Sequence, residues 1–378
     1  MPSVTEDLDK AGPWVRVPGE EKWQSLQDSD GRAWSVFESL GLASYRSENL
    51  VVLLGLGTSL GLTGSDGKAP TMADLFKSVR TLEGFDHAAE LAPTAVEAGD
   101  VEALLSACQM QVGLRDDEVT KQFLSAAEAV VLQACSFVDD TTDLGTHEAF
   151  LRKVGRRATR LARTKVFTTN YDLAIERAAE ATRFTLLDGF GPTAGGLFDG
   201  GNFDLDVVRR APDGTLQLAA NVIQLYKLHG SVDWDETNDG VRRDTTPGNP
   251  VLIYPSSMKY QQSYRPPYLE SMARFQMTLR QPETTVIVAG FGFNDAHVVG
   301  PLLSAVRSNV SLRFIVVDPA LRDTENESLL TLTRLSDARD ERILLFAGTF
   351  AEFTTRLPDM APHDAHEAHD ERVRGTSI

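Results

Sequence analysis

The stretch NLVVLLGLGTSLG, residues 49–61, decides the fold. Its first half is a continuous apolar run, Leu50 to Leu54, that ends on glycine. A strand buried on both faces of a parallel sheet has this character, whereas a strand with one wet face alternates. Its second half, Gly55 to Gly61, is a Gly-rich turn that carries two hydroxyls, Thr58 and Ser59. Such a turn lets backbone N–H groups come close to a pyrophosphate. Gly-rich turns after strands are common, so this one is a weak sign by itself. The lysine of a GxxxxGK[ST] loop is absent from the register, which disfavours ATP hydrolysis of that kind.

Further along, short apolar runs alternate with helical segments at 165–169, 222–228, 251–254, 285–289, 312–317 and 343–346. That alternation implies a parallel α/β sheet. Residues 70–163 read as almost wholly helical, with a start at Pro70-Thr71 and Asp74 in the first turn. Within them, 90–138 is rich in Ala, Glu, Leu and Val and is expected to be a helical insertion or subdomain. Residues 32–46 predict a helix with Trp34, Phe37 and Leu40 on one face, ending near Gly41. Residues 1–30 form a polar arm with Trp14 and Trp23, suited either to packing on a neighbour or to a loosely ordered terminus. Residues 188–201 read as a Gly-rich, mobile loop and 235–249 as a polar hairpin or excursion. The charged tail from Pro358 is expected to be poorly ordered. No internal repeat occurs.

Composition narrows the class. The chain has 378 residues, with 37 Lys plus Arg against 54 Asp plus Glu, a formal net charge of −17. A nucleic-acid binder needs a basic surface to replace phosphate counterions, so direct nucleic-acid binding is disfavoured for the chain as a whole. No run of about 18 apolar residues exists, so no membrane span is expected. With 42% hydrophobic and 24% charged residues the composition is that of a globular protein. Two cysteines, Cys108 and Cys135, are too few for a four-cysteine zinc site and read as buried free thiols. The N-terminus, MPSVTEDLDKAG, has neither the basic region nor the apolar region of a secretory signal, so a reducing cytosol is expected. One cationic stretch stands out: Arg152, Lys153, Arg156, Arg157, Arg160, Arg163 and Lys165 with no acid among them. As a helix over 152–165 it would present a broad basic face to DNA, to an acidic partner or simply to solvent. His363, His366 and His369 lie in the tail, where a solvated segment is the simpler reading than a metal site.

Three more polar clusters stand at strand ends. Thr168-Thr169-Asn170-Tyr171-Asp172 follows the run 165–169. Ligand crevices of open α/β sheets lie outside the carboxyl ends of strands, although Asn170 or Asp172 could equally cap the next helix. Lys227-Leu228-His229-Gly230-Ser231 follows the run 222–228. His229 there could be a general base or an ordinary packed histidine. Gly290-Phe291-Gly292-Phe293-Asn294-Asp295 follows the run 285–289.

The ordered set GLGTS (55–59), TTNYD (168–172), KLHGS (227–231) and GFGFND (290–295) resembles the sirtuin superfamily, most of all the bacterial sirtuin-like branch of antiphage defence systems. APTMADLF (69–76), YPSSMKY (254–260), RPPYLESM (265–272) and IVVD (315–318) agree with it. The resemblance implies an α/β, Rossmann-like parallel sheet of the sirtuin NAD-binding type, with a large helical insertion and no zinc module. It implies an arm and helix over 1–48, an NAD-binding domain over 49–320 with its insertion near 80–163, a final helix and strand over 321–357, and a disordered tail over 358–378. It further implies NAD as substrate, no metal, and NAD+ glycohydrolase activity, with a non-catalytic NAD or ADP-ribose sensor as the alternative. By the same resemblance Asn170, Asp172 and His229 would be catalytic. Gly55, Gly57, Thr58, Ser59 and Thr169 would hold the dinucleotide, with Gly290, Gly292, Asn294, Asp295 and Asp318 along its adenosine and phosphate side. A homo-oligomer such as a ring, a HerA-type ATPase partner and a bacterial cytoplasmic location are implied too. Two departures stand out. The missing four-cysteine module argues against protein deacylation, and Leu56 stands where the family usually has Ala.

Overall fold

The computed structural model describes residues 12–27, 31–115, 117–192, 196–252, 266–359, 369, 372 and 373. The segment YPSSMKY, His363 and His366 lie outside the described residues, as does most of the tail.

Along the chain, β1 (Trp14–Arg16), β2 (Gln24–Ser25) and α1 (Arg32–Arg46) precede β3 (Asn49–Leu54). A small hairpin, β4 (Thr63–Gly64) with β5 (Gly67–Lys68), leads into α2 (Met72–Val79), α3 (Phe85–Leu91), α4 (Pro93–Ala98), α5 (Val101–Leu114), α6 (Glu118–Cys135) and α7 (Gly145–Gly155). Then come β6 (Thr164–Thr168), α8 (Ala174–Thr182), β7 (Thr185–Leu187), and a hairpin of β8 (Val208–Arg210) with β9 (Leu216–Leu218). After β10 (Val222–Lys227) follow β11 (Gly230–Thr237), β12 (Gly240–Arg243) and β13 (Pro250–Leu252). The chain closes with α9 (Tyr268–Leu279), β14 (Thr284–Ala289), α10 (Ala296–Ser308), β15 (Arg313–Val317), α11 (Glu327–Asp337), β16 (Ile343–Ala347) and α12 (Phe350–Arg356).

Nine strands form one sheet in the order β2-β1-β16-β15-β14-β3-β6-β10-β7. All neighbours from β16 to β7 are parallel. The apolar run at 50–54 is the central strand, and each of its five residues is at most 1% exposed. Leu50, Val52 and Leu54 enter the core on one face, while Val51 and Leu53 enter the core on the other. The chain leaves β3 toward β6 on one side and later returns to β14 on the other. The carboxyl end of β3 is therefore the topological switch point, where open α/β sheets place their crevice.

The helices α2–α6 enclose a third apolar core that also takes in Tyr171, Val232 and Leu252. The expected start of α2 is present as a capping box between Thr71 and Asp74. Among the described residues, no helix is long and apolar enough to cross a membrane.

Five expectations need correction. The N-terminal arm extends the chain's own sheet, with β1 antiparallel to β16 and Arg16 donating to Asp337 at 2.7 Å. Helix α1 runs through Gly41 to Arg46, because that glycine faces only Pro358 and nothing there breaks the helix. The run at 251 joins β11 in a small antiparallel sheet instead of the main one. The stretch 188–201 is partly paired, by a bridge between Phe190 and Phe198.

The basic stretch is not one helix. Helix α7 stops at Gly155, where a Cβ would lie 2.3 Å from the Phe184 ring. Lys165 lies in β6. Two of its cations are held by carbonyls: buried Lys153 donates to Thr354 O and Leu357 O at 2.9 and 2.7 Å. Buried Arg157 donates to Ala162 O at 2.8 Å and to Ser47 O. These side chains staple the ends of α1 and α12 to the body, and no continuous basic face results.

Candidate functional site

Four neighbouring strands, β14, β3, β6 and β10, end side by side and bring the four sequence clusters together. The turn after β3 and the turn after β14 pack backbone on backbone. Gly57 N–H donates to Gly290 O at 2.8 Å and Gly55 N–H to Ala289 O at 3.0 Å. A Cβ on Gly55 would lie 2.6 Å from Gly290 O, and one on Gly57 2.7 Å from Gly290 Cα. Gly290 has φ +63°, and its Cβ would lie 2.5 Å from Thr58 N. This packing alone requires the three glycines, independently of any ligand.

Side chains link the first turn to the second cluster. Asn170 Nδ2 donates to Gly55 O at 3.1 Å and to Ser59 Oγ at 3.0 Å. Ser59, fully buried, donates to Asp172 Oδ2 at 2.9 Å. Asp172 Oδ1 accepts the Ala174 N–H at 3.0 Å, so this carboxylate also serves the start of α8. Thr58 Oγ1 donates to Gly55 O at 2.8 Å, and Thr169 N–H donates to Leu54 O at 3.1 Å. With both amide hydrogens of Asn170 committed, its Oδ1 is the atom left to accept from a water or ligand.

The third and fourth clusters meet through a histidine–carboxylate pair. His229 Nε2 lies 2.8 Å from Asp295 Oδ2, and both side chains are largely buried. Asp295 also accepts the His297 N–H at 2.9 Å as the N-cap of α10. Burial pushes the Asp295 carboxyl up, but the hydrogen bonds from His229 and His297 and the charge of His229 outweigh it and hold the carboxyl below its usual value. An ionised carboxylate only accepts, so His229 Nε2 donates the hydrogen of this bond.

Other expected residues stand apart. Asn294 is exposed and accepts from Asn326 Nδ2 at 3.3 Å, and Gly292 is exposed beside it. Asp318 follows β15 directly and accepts the Ala320 N–H at 2.7 Å, while burial raises its carboxyl above the usual value. Asp295 thus pairs with His229 rather than with Gly292, Asn294 or Asp318.

Lys227 opens the KLHGS cluster, where the sequence pattern assigns it no role. Its ammonium, 4% exposed, donates to Tyr171 O at 3.1 Å, to Asp172 O at 2.5 Å and to Glu176 Oε1 at 3.0 Å. Ser231 donates to Asp233 Oδ1 at 2.5 Å and reaches Tyr171 O at 3.5 Å. The available sign was a lysine ending the largely apolar strand VIQLYK. Cys108 and Cys135 are buried and free, and burial pushes both thiols up to about 12. Among the described residues, no group of His, Cys, Asp and Glu could hold a metal ion.

Residues 164–334 match the family model of the SIR2-like domain. That span runs from the start of β6 into α11 and includes Asn170, Asp172, His229 and Asp295. It leaves out the Gly55–Ser59 turn, which is nevertheless hydrogen-bonded to Asn170 and Asp172 within the span. The match supports a sirtuin-like protein and fits an NAD-related activity on a Rossmann-like sheet. No curated protein matches the chain.

Proposed function

We propose that this protein is an NAD+ glycohydrolase that cleaves NAD+ to nicotinamide and ADP-ribose. The observation that carries the reading is the convergence of Ser59, Asn170 and Asp172 with the His229–Asp295 pair at the switch point of a sheet whose second half matches the SIR2-like domain. The reaction breaks the bond between the ribose anomeric carbon and the nicotinamide nitrogen. Water forms the new C–O bond and its proton is released.

Positive charge develops on the sugar in the transition state. The Asp172 carboxylate and the Asn170 carbonyl oxygen are fixed by hydrogen bonds and need little reorganisation to stabilise it. Asn170 Oδ1 also orients the attacking water. His229, held by Asp295, binds ribose hydroxyls and can take up the released proton. Buried thiols at about 12 stay neutral and supply no nucleophile at pH 7.

In this reading the protein acts in antiphage defence by depleting NAD+ in the bacterial cytoplasm. It works as a homo-oligomer together with a HerA-type ATPase, which keeps the activity under control. The purified chain, alone and with such a partner, is to be assayed for nicotinamide release. The Asn170→Ala, His229→Ala double variant is expected to lose at least about a hundredfold; release equal to the parent's sinks the proposal.

A second reading is a non-catalytic subunit that senses NAD or ADP-ribose. Leu56 in the Gly-rich turn, bulkier than the family's usual Ala, favours it. Tight NAD binding without turnover under any partner would select it.

A further inference from the structure

Behind the Thr168–Asp172 turn lies a cavity of about 950 Å³, bounded by α8, β7 and the segment after it, the start of β11 and Arg243 of β12. None of Ser59, Asn170 or His229 lines it. Its volume is that of a small-molecule site, and so is its mixed lining. Phe184, Leu186, Phe190 and Val232 give apolar walls, with charged groups between them.

Those charges are unbalanced. Five carboxylates line the cavity, those of Glu176, Glu180, Asp188, Asp206 and Asp233, and four cations pair with them: Arg177 and Arg243 in the lining, Lys227 and Arg163 outside it. Each cation that reaches them is already engaged. Lys227 serves Glu176, Arg163 serves Asp206 at 2.8 Å, and Arg177 serves Glu180 at 3.3 Å. Arg243 pairs with Asp188 while its Nε stays 3.8 Å from Asp233 Oδ2, so two carboxylates share one guanidinium. Burial pushes the Glu176 and Asp188 carboxyls up, so added positive charge would be stabilising there.

Two chains of contacts lead from this cavity to the turn. Glu176 holds Lys227, which donates to the carbonyls of Tyr171 and Asp172. Asp233 holds Ser231, which faces the Tyr171 carbonyl. The turn's other side carries Asn170 and the Asp172 carboxylate.

We propose that this cavity binds a small organic cation with an apolar body, an aryl or alkyl amine or amidine. Its occupancy acts on the Thr168–Asp172 turn through Glu176–Lys227 and Asp233–Ser231. The second half rests on the switch-point site being the nucleotide site. The first half does not.

The probe is benzamidine, with benzamide as its neutral isostere, titrated calorimetrically into the full chain. Saturable benzamidine binding is expected, with benzamide weaker by about tenfold or more. Asp233→Asn and Thr245→Trp, the latter at the exposed rim, should each weaken benzamidine by about tenfold while the melting temperature holds. ADP-ribose affinity is measured separately, with and without saturating benzamidine. It should change by about threefold or more, and Glu176→Gln should abolish that change. A wild type that binds benzamidine no better than benzamide, or binding that survives both substitutions, overturns the cavity site. Benzamidine binding with unchanged ADP-ribose affinity overturns the coupling and leaves the cavity site supported. A chain that binds benzamidine as expected but neither ADP-ribose nor NAD supports the cavity site and overturns both the coupling and the nucleotide site.

Discussion

The two sides of the Thr168–Asp172 turn are held by different chemistry. On the front, Ser59 and Asn170 hold side chains by neutral-donor hydrogen bonds, and Asp172 is the one charge among them. On the back, a buried ammonium grips the backbone itself, and its counter-charge is a carboxylate on α8. A side chain held by neutral donors can be replaced at a modest cost in stability. A buried ion whose partner is removed leaves an uncompensated charge, which costs far more. The front is therefore where chemistry can be altered without losing the fold, and the back is where the fold itself is secured.

The largest effect should come from the back. Lys227→Met leaves Glu176 without its cation and two carbonyls without their donor. A loss of about 4 kcal/mol in urea unfolding is expected, with roughly half regained in Lys227→Met, Glu176→Gln. If the single variant were no less stable than a front-side variant, the contrast between the two sides would fail.

The front should show the reverse pattern. Asn170→Ala is expected to slow nicotinamide release by about a hundredfold, near 3 kcal/mol in the barrier. Its unfolding free energy should fall by only about 1 kcal/mol, since Gly55 O and Ser59 Oγ each lose one neutral donor. Equal losses in both measurements would make Asn170 a structural residue.

Much of the front was readable from the sequence because each cluster follows an apolar run, and parallel sheets bring strand ends together. The unbroken run at 50–54 declared a central strand, and the turn residues followed from it. The back was not readable. Lys227 makes contacts 51 to 56 residues away, and a lysine at a strand end looks the same whether it is solvated or buried. The basic stretch misled for a related reason: cation spacing suits a helix face, but Lys153 and Arg157 each reach a carbonyl more than 100 residues away, Thr354 O and Ser47 O. The pairing of Asp295 with His229 was likewise hidden, since both follow from strand order rather than from local pattern.

A third titratable group gives an acid-side test. His147, 1% exposed against Phe350, has no hydrogen-bond partner for either ring nitrogen. Burial pushes its imidazole down to about 4, against the pull of the Asp172 carboxylate. The unfolded chain binds this proton near pH 6.5 and the native chain does not. Its contribution is therefore fully present above about pH 6.5 and is lost as pH falls toward 4, by about 3 kcal/mol at the limit. His147→Leu should remove that part of the acid dependence and leave the unfolding free energy at pH 8 within about 1 kcal/mol. An unchanged acid slope would show that the imidazole titrates normally and that the front carboxylate feels no such neighbour.

The smallest expected effect is the most discriminating. Ser59 sits between the two front groups, accepting from Asn170 and donating to Asp172, with its side chain fully buried. Ser59→Ala removes one donor from Asp172 Oδ2, while Oδ1 keeps the Ala174 N–H and Asn170 keeps Gly55 O. A loss of about 1 kcal/mol in unfolding is expected. If the front is a cluster preorganised for chemistry, nicotinamide release should fall by about tenfold through kcat, with the ADP-ribose affinity nearly unchanged. If the hydroxyl instead contacts a bound dinucleotide directly, affinity falls and kcat holds. Either split keeps the front functional, and a variant that lowers stability alone would place Ser59 with Lys227 among the groups that hold the turn.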